Sequence, residues 1–165
     1  MTRRSAMFAG GALGAFWAAL VVWVGAQHLN LPIITLIPTI SFALLGPGLT
    51  LAPMILWAAI RRFTSDAFAD GGAPVPNGPD DIDRRVLTNT IEQSLLALCI
   101  WPATGFLAAD DGPGLLVALG ISFPLAQLAF WVGYRMYPPL RMVGFSATFY
   151  ATLFAFVWSV FVWIA

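Results

Sequence analysis

Residues 84–93 read Arg84-Arg85-Val86-Leu87-Thr88-Asn89-Thr90-Ile91-Glu92-Gln93. Arg85, Asn89 and Glu92 stand at i, i+4 and i+7, so on a helix they share one face. Thr88 lies on or beside that face, and Gln93 follows Asn89 by four. The chain then turns apolar, and residues 86–108 are long enough for a helix across a bilayer core, which needs roughly 20 residues. A polar face is thus carried into the start of a membrane helix. Glu92 lies about two turns in, at roughly 1.5 Å rise per residue. It is the only acidic residue within any of the spans read below.

The rest of the chain supplies the context. Of its 165 residues, 59% are hydrophobic and 10% charged, with eight Lys+Arg balancing eight Asp+Glu. Mean hydropathy is +0.83. A soluble domain carries about 25% charged residues, so this composition argues against a cytosolic enzyme, a disordered chain or a nucleic-acid partner. The apolar runs are long and do not alternate, which predicts an all-α polytopic transmembrane bundle in contact with membrane lipid. Besides residues 86–108, spans are expected over 7–27, 31–60, 113–136 and 142–165. The second is broken in sequence by Pro38, Gly46-Pro47-Gly48 and Pro53. A polar loop, residues 61–83, carries the turn signals Asp70-Gly71-Gly72-Ala73-Pro74 and Pro76-Asn77-Gly78-Pro79. Asp81 or Asp83 is expected to cap the helix after it, and Asp111 the one after that.

All eight basic residues are arginine. With five crossings, Arg3 and Arg4, then Arg61, Arg62, Arg84 and Arg85, then Arg135 and Arg141 fall on one side. The other side holds His28, Asp110 and Asp111. The positive-inside rule makes the arginine side cytoplasmic, N-terminus included. The first span has a basic start and a small-residue pattern at Val24-Gly25-Ala26, as in a cleaved signal. Its apolar stretch exceeds the usual signal core of about 7–15 residues, so an uncleaved helix is expected. Cys99 reads as a small buried residue. Trp23, Trp101 and Trp163 read as a belt at the outer edge, and Trp57 as its inner counterpart. His28 lacks the partners of a metal ligand.

A charge inside a span needs a partner, a wet cavity or another subunit. The Arg85–Asn89–Glu92 face can be an interhelical clamp or a ligand site. The turn after span four gathers Tyr134, Arg135, Tyr137 and Arg141 at the same level. This can be an ordinary interface belt. Together with span three it can also hold an anionic ligand with several carboxylates, which arginine forks suit. Arg61 and Arg62, closing span two, complete such a ring.

These segments resemble the signatures of the MAPEG family, membrane-associated proteins of eicosanoid and glutathione metabolism. The family carries Arg-x-x-x-Asn-x-x-Glu at the start of its second helix, here Arg85, Asn89 and Glu92. It carries a Gly-Tyr pair near the end of its third, here Gly133-Tyr134, and an arginine seven residues later, here Arg141. The resemblance covers roughly residues 31–165 and leaves span one, residues 7–27, as an additional helix within a single membrane domain. It implies a four-helix protomer, a homotrimer and glutathione as co-substrate, bound between protomers near the cytoplasmic edge of a bacterial-type inner membrane. On that resemblance Arg85, Asn89, Glu92 and Tyr134 bind the tripeptide, with Arg62 as a further binding arginine. Arg141 faces the sulfur and stabilises the thiolate, which attacks a lipophilic electrophile. Where some members have aromatic or basic residues, this chain has Thr88, Gln93, Gln127 and Phe130. The expectation is a glutathione-dependent transferase or peroxidase. The alternatives are a non-catalytic relative, whose polar face serves trimer assembly or binds another anionic ligand, and a small transporter component with Glu92 as its coupling carboxylate.

Overall fold

The computed structural model describes residues 3–64 and 74–165. Five long helices account for nearly all of them: α1 (Arg3–Gln27), α2 (Leu36–Thr64), α3 (Pro79–Leu107), α4 (Gly112–Arg135) and α5 (Pro138–Ile164). Single 3-10 turns, Ile33–Thr35 and Ala109–Asp111, lead into α2 and α4. Among the described residues there is no strand.

Four of the helices, all but α3, are long and apolar enough to cross a membrane by length and composition. At 29 residues α3 is also long enough, about 43 Å at 1.5 Å per residue. Its polar first half keeps it short of the apolar content of the others, so four helices and not the five expected spans meet that measure. It nevertheless traverses the bundle. Its start meets the end of α2, where Arg61 binds Asp80. Near its end, Gly105 lies against Leu36 at the start of α2 and Leu116 near the start of α4. The other helices alternate in the same way. Near its start, α1 packs Gly10 against Pro139, and near its end Gly25 against Leu115. Toward the end of α5, Trp158 donates to Asp111, 3.1 Å away, at the start of α4. The five helices therefore run up and down, and Arg4, Arg61, Arg62, Arg84, Arg85, Arg135 and Arg141 collect at one end.

The core is apolar with small residues where helices cross. Leu115, Leu116, Leu119 and Phe123 of α4 pack against Trp101 and Ala97 of α3, Ala43 of α2, Ala18 of α1 and Ala151 of α5. Trp101 is 1% exposed and donates its indole N–H to Thr152 Oγ1 at 3.1 Å. It is a core residue and not the belt residue expected, because a partner hydroxyl lets the indole bury. Trp23 and Trp163 are exposed. Cys99, expected to be buried, is exposed, on the outer face that also carries Leu95 and Leu98.

Other expectations change in detail. The second span is one continuous helix with Pro47 and Pro53 inside it, so the sequence breaks do not break the helix. The polar loop shortens, because α2 continues through Thr64 and α3 begins at Pro79. The turn signals at 70–73 lie outside the described residues. Gly78 is the N-cap of α3, with proline at the first helical position. Asp81 instead accepts the Asn77 N–H at 2.9 Å, and Asp83 is turned to other partners described below. Asp111 occupies the N-cap position of α4 without a side-chain cap bond, its carboxylate being engaged by Trp158.

Helix α1 lies mainly along α5 and touches α4. The approach is close at Gly14, where a Cβ would stand 2.7 Å from Ser146 Cβ and 2.9 Å from the Ala147 nitrogen. Two backbones meet there, so no side-chain rotation makes room. Overpacking of this kind costs about 1–3 kcal/mol. Gly14→Leu is expected to lower the melting temperature of detergent-purified protein by several degrees and to expose α1 to limited proteolysis.

Candidate functional site

The arginine end is organised by three carboxylates in and just after the first turn of α3. Asp80 accepts two bonds from Arg61 of α2, Nε and Nη2, both at 2.8 Å, the fork geometry that suits guanidinium and carboxylate. Asp81 pairs with Arg85 one turn on, at 2.8 Å. Asp83 pairs with Arg135 of α4 and accepts indole N–H bonds from Trp57 at 3.1 Å and Trp131 at 3.2 Å. One side chain on α3 thus ties α2 to α4. The Arg135 guanidinium also lies over the Trp131 ring, 5.3 Å from its centroid. These links set the rotation of α3 about its own axis.

That rotation turns the face read from the sequence into one groove. Arg85, Asn89 and Glu92 line it with Asp81, Arg84 and Thr88, around a volume of about 400 Å³. Its walls come from α3 alone. Arg85 and Glu92 are exposed, while Asn89 is half-buried and its Oδ1 is buried with no hydrogen-bond partner. An amide oxygen in that position accepts an N–H. The groove holds two guanidinium groups and two carboxylates. It therefore offers matched contacts to a zwitterion, carboxylate to arginine and ammonium to acid.

Behind the groove the polarity continues inward. Gln93 is buried, with an unpartnered Oε1. Thr90 donates to the Val86 carbonyl at 2.8 Å and lies 3.1 Å from Gln127 Oε1. Gln127 is 0% exposed.

Tyr134 and Arg141 form a separate unit. The Arg141 guanidinium sits over the Tyr134 ring, 4.6 Å from its centroid, a cation–π contact. The Gly133 that precedes this tyrosine is required by the α4–α5 turn, since a Cβ there would overlap the Arg141 backbone nitrogen. Tyr134 and Arg141 do not line the α3 groove within this chain. Nor does Arg62, which lies across α3 in the wall of a second cavity between α2, α3 and α4. Arg61, expected in the same ring, is held by Asp80. The ring therefore divides within one chain: Arg85, Asn89 and Glu92 together, Tyr134 with Arg141, and Arg62 apart. Sequence reasoning missed the role of Asp80 and Asp83. Only the four-residue spacing of Asp81 and Arg85 signalled any of the pairings.

Five helices that alternate in direction along the chain, four of them apolar enough to span a bilayer and all presenting arginine at one end, define a multi-pass helical membrane protein. The model of the MAPEG family matches residues 37–161, more than half of the chain, and the chain belongs to that family. The match begins in α2 and leaves α1 outside it. Comparisons with curated proteins and with solved structures find no match.

The Asp80–Arg61 fork predicts a pH effect. The hydrogen bonds from Arg61 hold the Asp80 carboxyl below its ordinary value, against the opposing effect of its partial burial. A depressed carboxylate stabilises the fold above its unfolded pKa, and the contribution is lost as pH falls through the folded one. Asp80→Asn is expected to melt below the parent protein at neutral pH. The gap should close as pH drops below the ordinary carboxylate range, read by thermal melts across pH.

Proposed function

We propose that this protein is a glutathione-dependent transferase or peroxidase acting on a lipophilic electrophile. The observation that carries the reading is the α3 groove. It unites the family's Arg-x-x-x-Asn-x-x-Glu residues with a buried, unpartnered Asn89 Oδ1. Glutathione has two carboxylates, an ammonium group and two peptide N–H groups. Arg85 suits a carboxylate, Glu92 the ammonium and the Asn89 side-chain amide a peptide group. The role of Arg141 follows from thiol chemistry. A thiol of pKa about 8.5 is mostly protonated at neutral pH, and a nearby guanidinium lowers that value. The proton is lost to solvent, and the sulfur lone pair forms the new bond as the electrophile's leaving group departs with its electron pair. With a lipid hydroperoxide the O–O bond breaks instead, the alkoxide takes a proton from solvent, and a second glutathione converts the oxidised sulfur to the disulfide with release of water. The protein needs no nucleophile of its own.

The family resemblance implies a homotrimer, which would bring Tyr134 and Arg141 of one protomer toward glutathione bound on another. The groove has a wall on one side only. Beside it α3 exposes Ile91, Leu95 and Leu98, an apolar strip that a neighbouring protomer would cover. The arginine end is read as cytoplasmic, in a bacterial-type inner membrane. The same strip favours a second reading, a non-catalytic relative whose polar face serves assembly or holds another anionic ligand.

A pair of variants separates these readings. Arg85→Ala removes a charge-assisted contact worth about 1.5–3 kcal/mol, so glutathione affinity is expected to fall at least tenfold. Arg141→Ala is expected to keep glutathione affinity within about threefold while abolishing the ultraviolet thiolate absorbance of the bound tripeptide and its turnover. Unchanged thiolate formation and turnover in Arg141→Ala overturns the mechanism.

A further inference from the structure

On the other side of α3 lies a cavity of about 590 Å³, walled by α2, α3 and α4. Its volume is in the range of built ligand sites, roughly 300–1,000 Å³. Its body is apolar, with Leu49, Met54, Leu87 and Leu128 among the lining side chains. Its mouth, at the arginine end, is ionic. There Asp80 neutralises Arg61 and Asp83 neutralises Arg135. Arg62 and Arg84 also line it, and neither pairs with a carboxylate among the described residues. The Trp57 and Trp131 indoles, pinned by Asp83, stand at the junction of the two zones. Tryptophan favours that depth in a bilayer, at the level of the headgroups.

We propose that this cavity holds one anionic phospholipid of the surrounding bilayer. One of its two acyl chains lies in the apolar body, the other stays in the bilayer, and its phosphate lies between Arg62 and Arg84. The charge balance selects the headgroup. Two guanidinium groups without a carboxylate partner among the described residues face the mouth, and each supplies hydrogen-bond forks for phosphate oxygens. A zwitterionic headgroup would bring its own cation against them. Arg84 also lines the α3 groove, so the lipid phosphate and the groove share one wall. The site is independent of the glutathione reading: it needs the cavity and the two arginines only.

Native mass spectrometry of the detergent-purified protein tests this, with phosphatidylglycerol and phosphatidylcholine of equal chain length as probes. Phosphatidylglycerol is expected to bind about tenfold or more tightly, given roughly 1 kcal/mol per arginine near an anionic headgroup. Arg62→Gln with Arg84→Gln should reduce it to the phosphatidylcholine level. Ala58→Trp, or the milder Ala58→Leu, fills the apolar body and should displace both lipids while glutathione affinity persists. Equal binding of the two lipids, insensitive to the arginine pair, overturns the proposal. So does a free fatty acid that outcompetes phosphatidylglycerol on the same arginines. Oligomer dissociation by the Ala58 variants with lipid binding unchanged would assign the cavity to a second copy of the chain. Failure of the parent protein to bind glutathione would count against the proposed function and not against this site.

Discussion

The anchoring of α3 by its first-turn carboxylates is the constraint on which the rest of the arginine end depends. Asp80 reaches α2, Asp83 reaches both α2 and α4, and Asp81 holds Arg85 on α3 itself. Each pair is partly exposed, and isolated pairs of that kind contribute about 0–1 kcal/mol. Their value is geometric. A helix with charged, polar and apolar residues in its first four turns cannot turn freely in a bilayer, where a misplaced charge costs a few kcal/mol. The ties from Asp80 and Asp83 to α2 and α4 leave one orientation, with Arg85, Asn89 and Glu92 on one side and Leu87 in the cavity on the other. Arg84 borders both.

Much of this was legible in the chain. Long apolar runs and the eight arginines led to five antiparallel traverses with all basic groups at one end, and the bundle has that arrangement. The groove followed from a spacing of four and three on a helix, a local property that needs no tertiary knowledge. What was missed depended on contacts between distant segments. Asp83 looked like a cap because its partners, Trp57 and Trp131, lie 26 and 48 residues away. Trp101 looked like a belt residue because Thr152, which satisfies its N–H, is on another helix. Pro47 and Pro53 looked like breaks. Packing of small residues of α2 and α4, Ala43 and Gly46 against Gly120, holds the helix through them.

The division of the expected ring has a physical origin as well. Tyr134 and Arg141 are fixed by the tight α4–α5 turn at Gly133, and the groove by the rotation of α3. Among the described residues no hydrogen bond, ion pair or ring contact joins the two units. The one-walled groove lies beside an outward-facing apolar strip, Ile91, Leu95 and Leu98. Helix α1, outside the family match, covers α5 and α4 through glycine contacts and leaves that α3 strip open. The extra helix therefore adds a crossing and buries apolar surface without closing the groove.

The reading of the α3 face as the binding site of a tripeptide thiol is most directly tested by calorimetric titration of the detergent-solubilised parent protein and of Asn89→Leu with glutathione. Saturable heat in the parent protein, lost in the variant while the protein keeps its melting temperature, is the predicted result. No saturable heat in the parent protein, or an unchanged isotherm in Asn89→Leu, would contradict it.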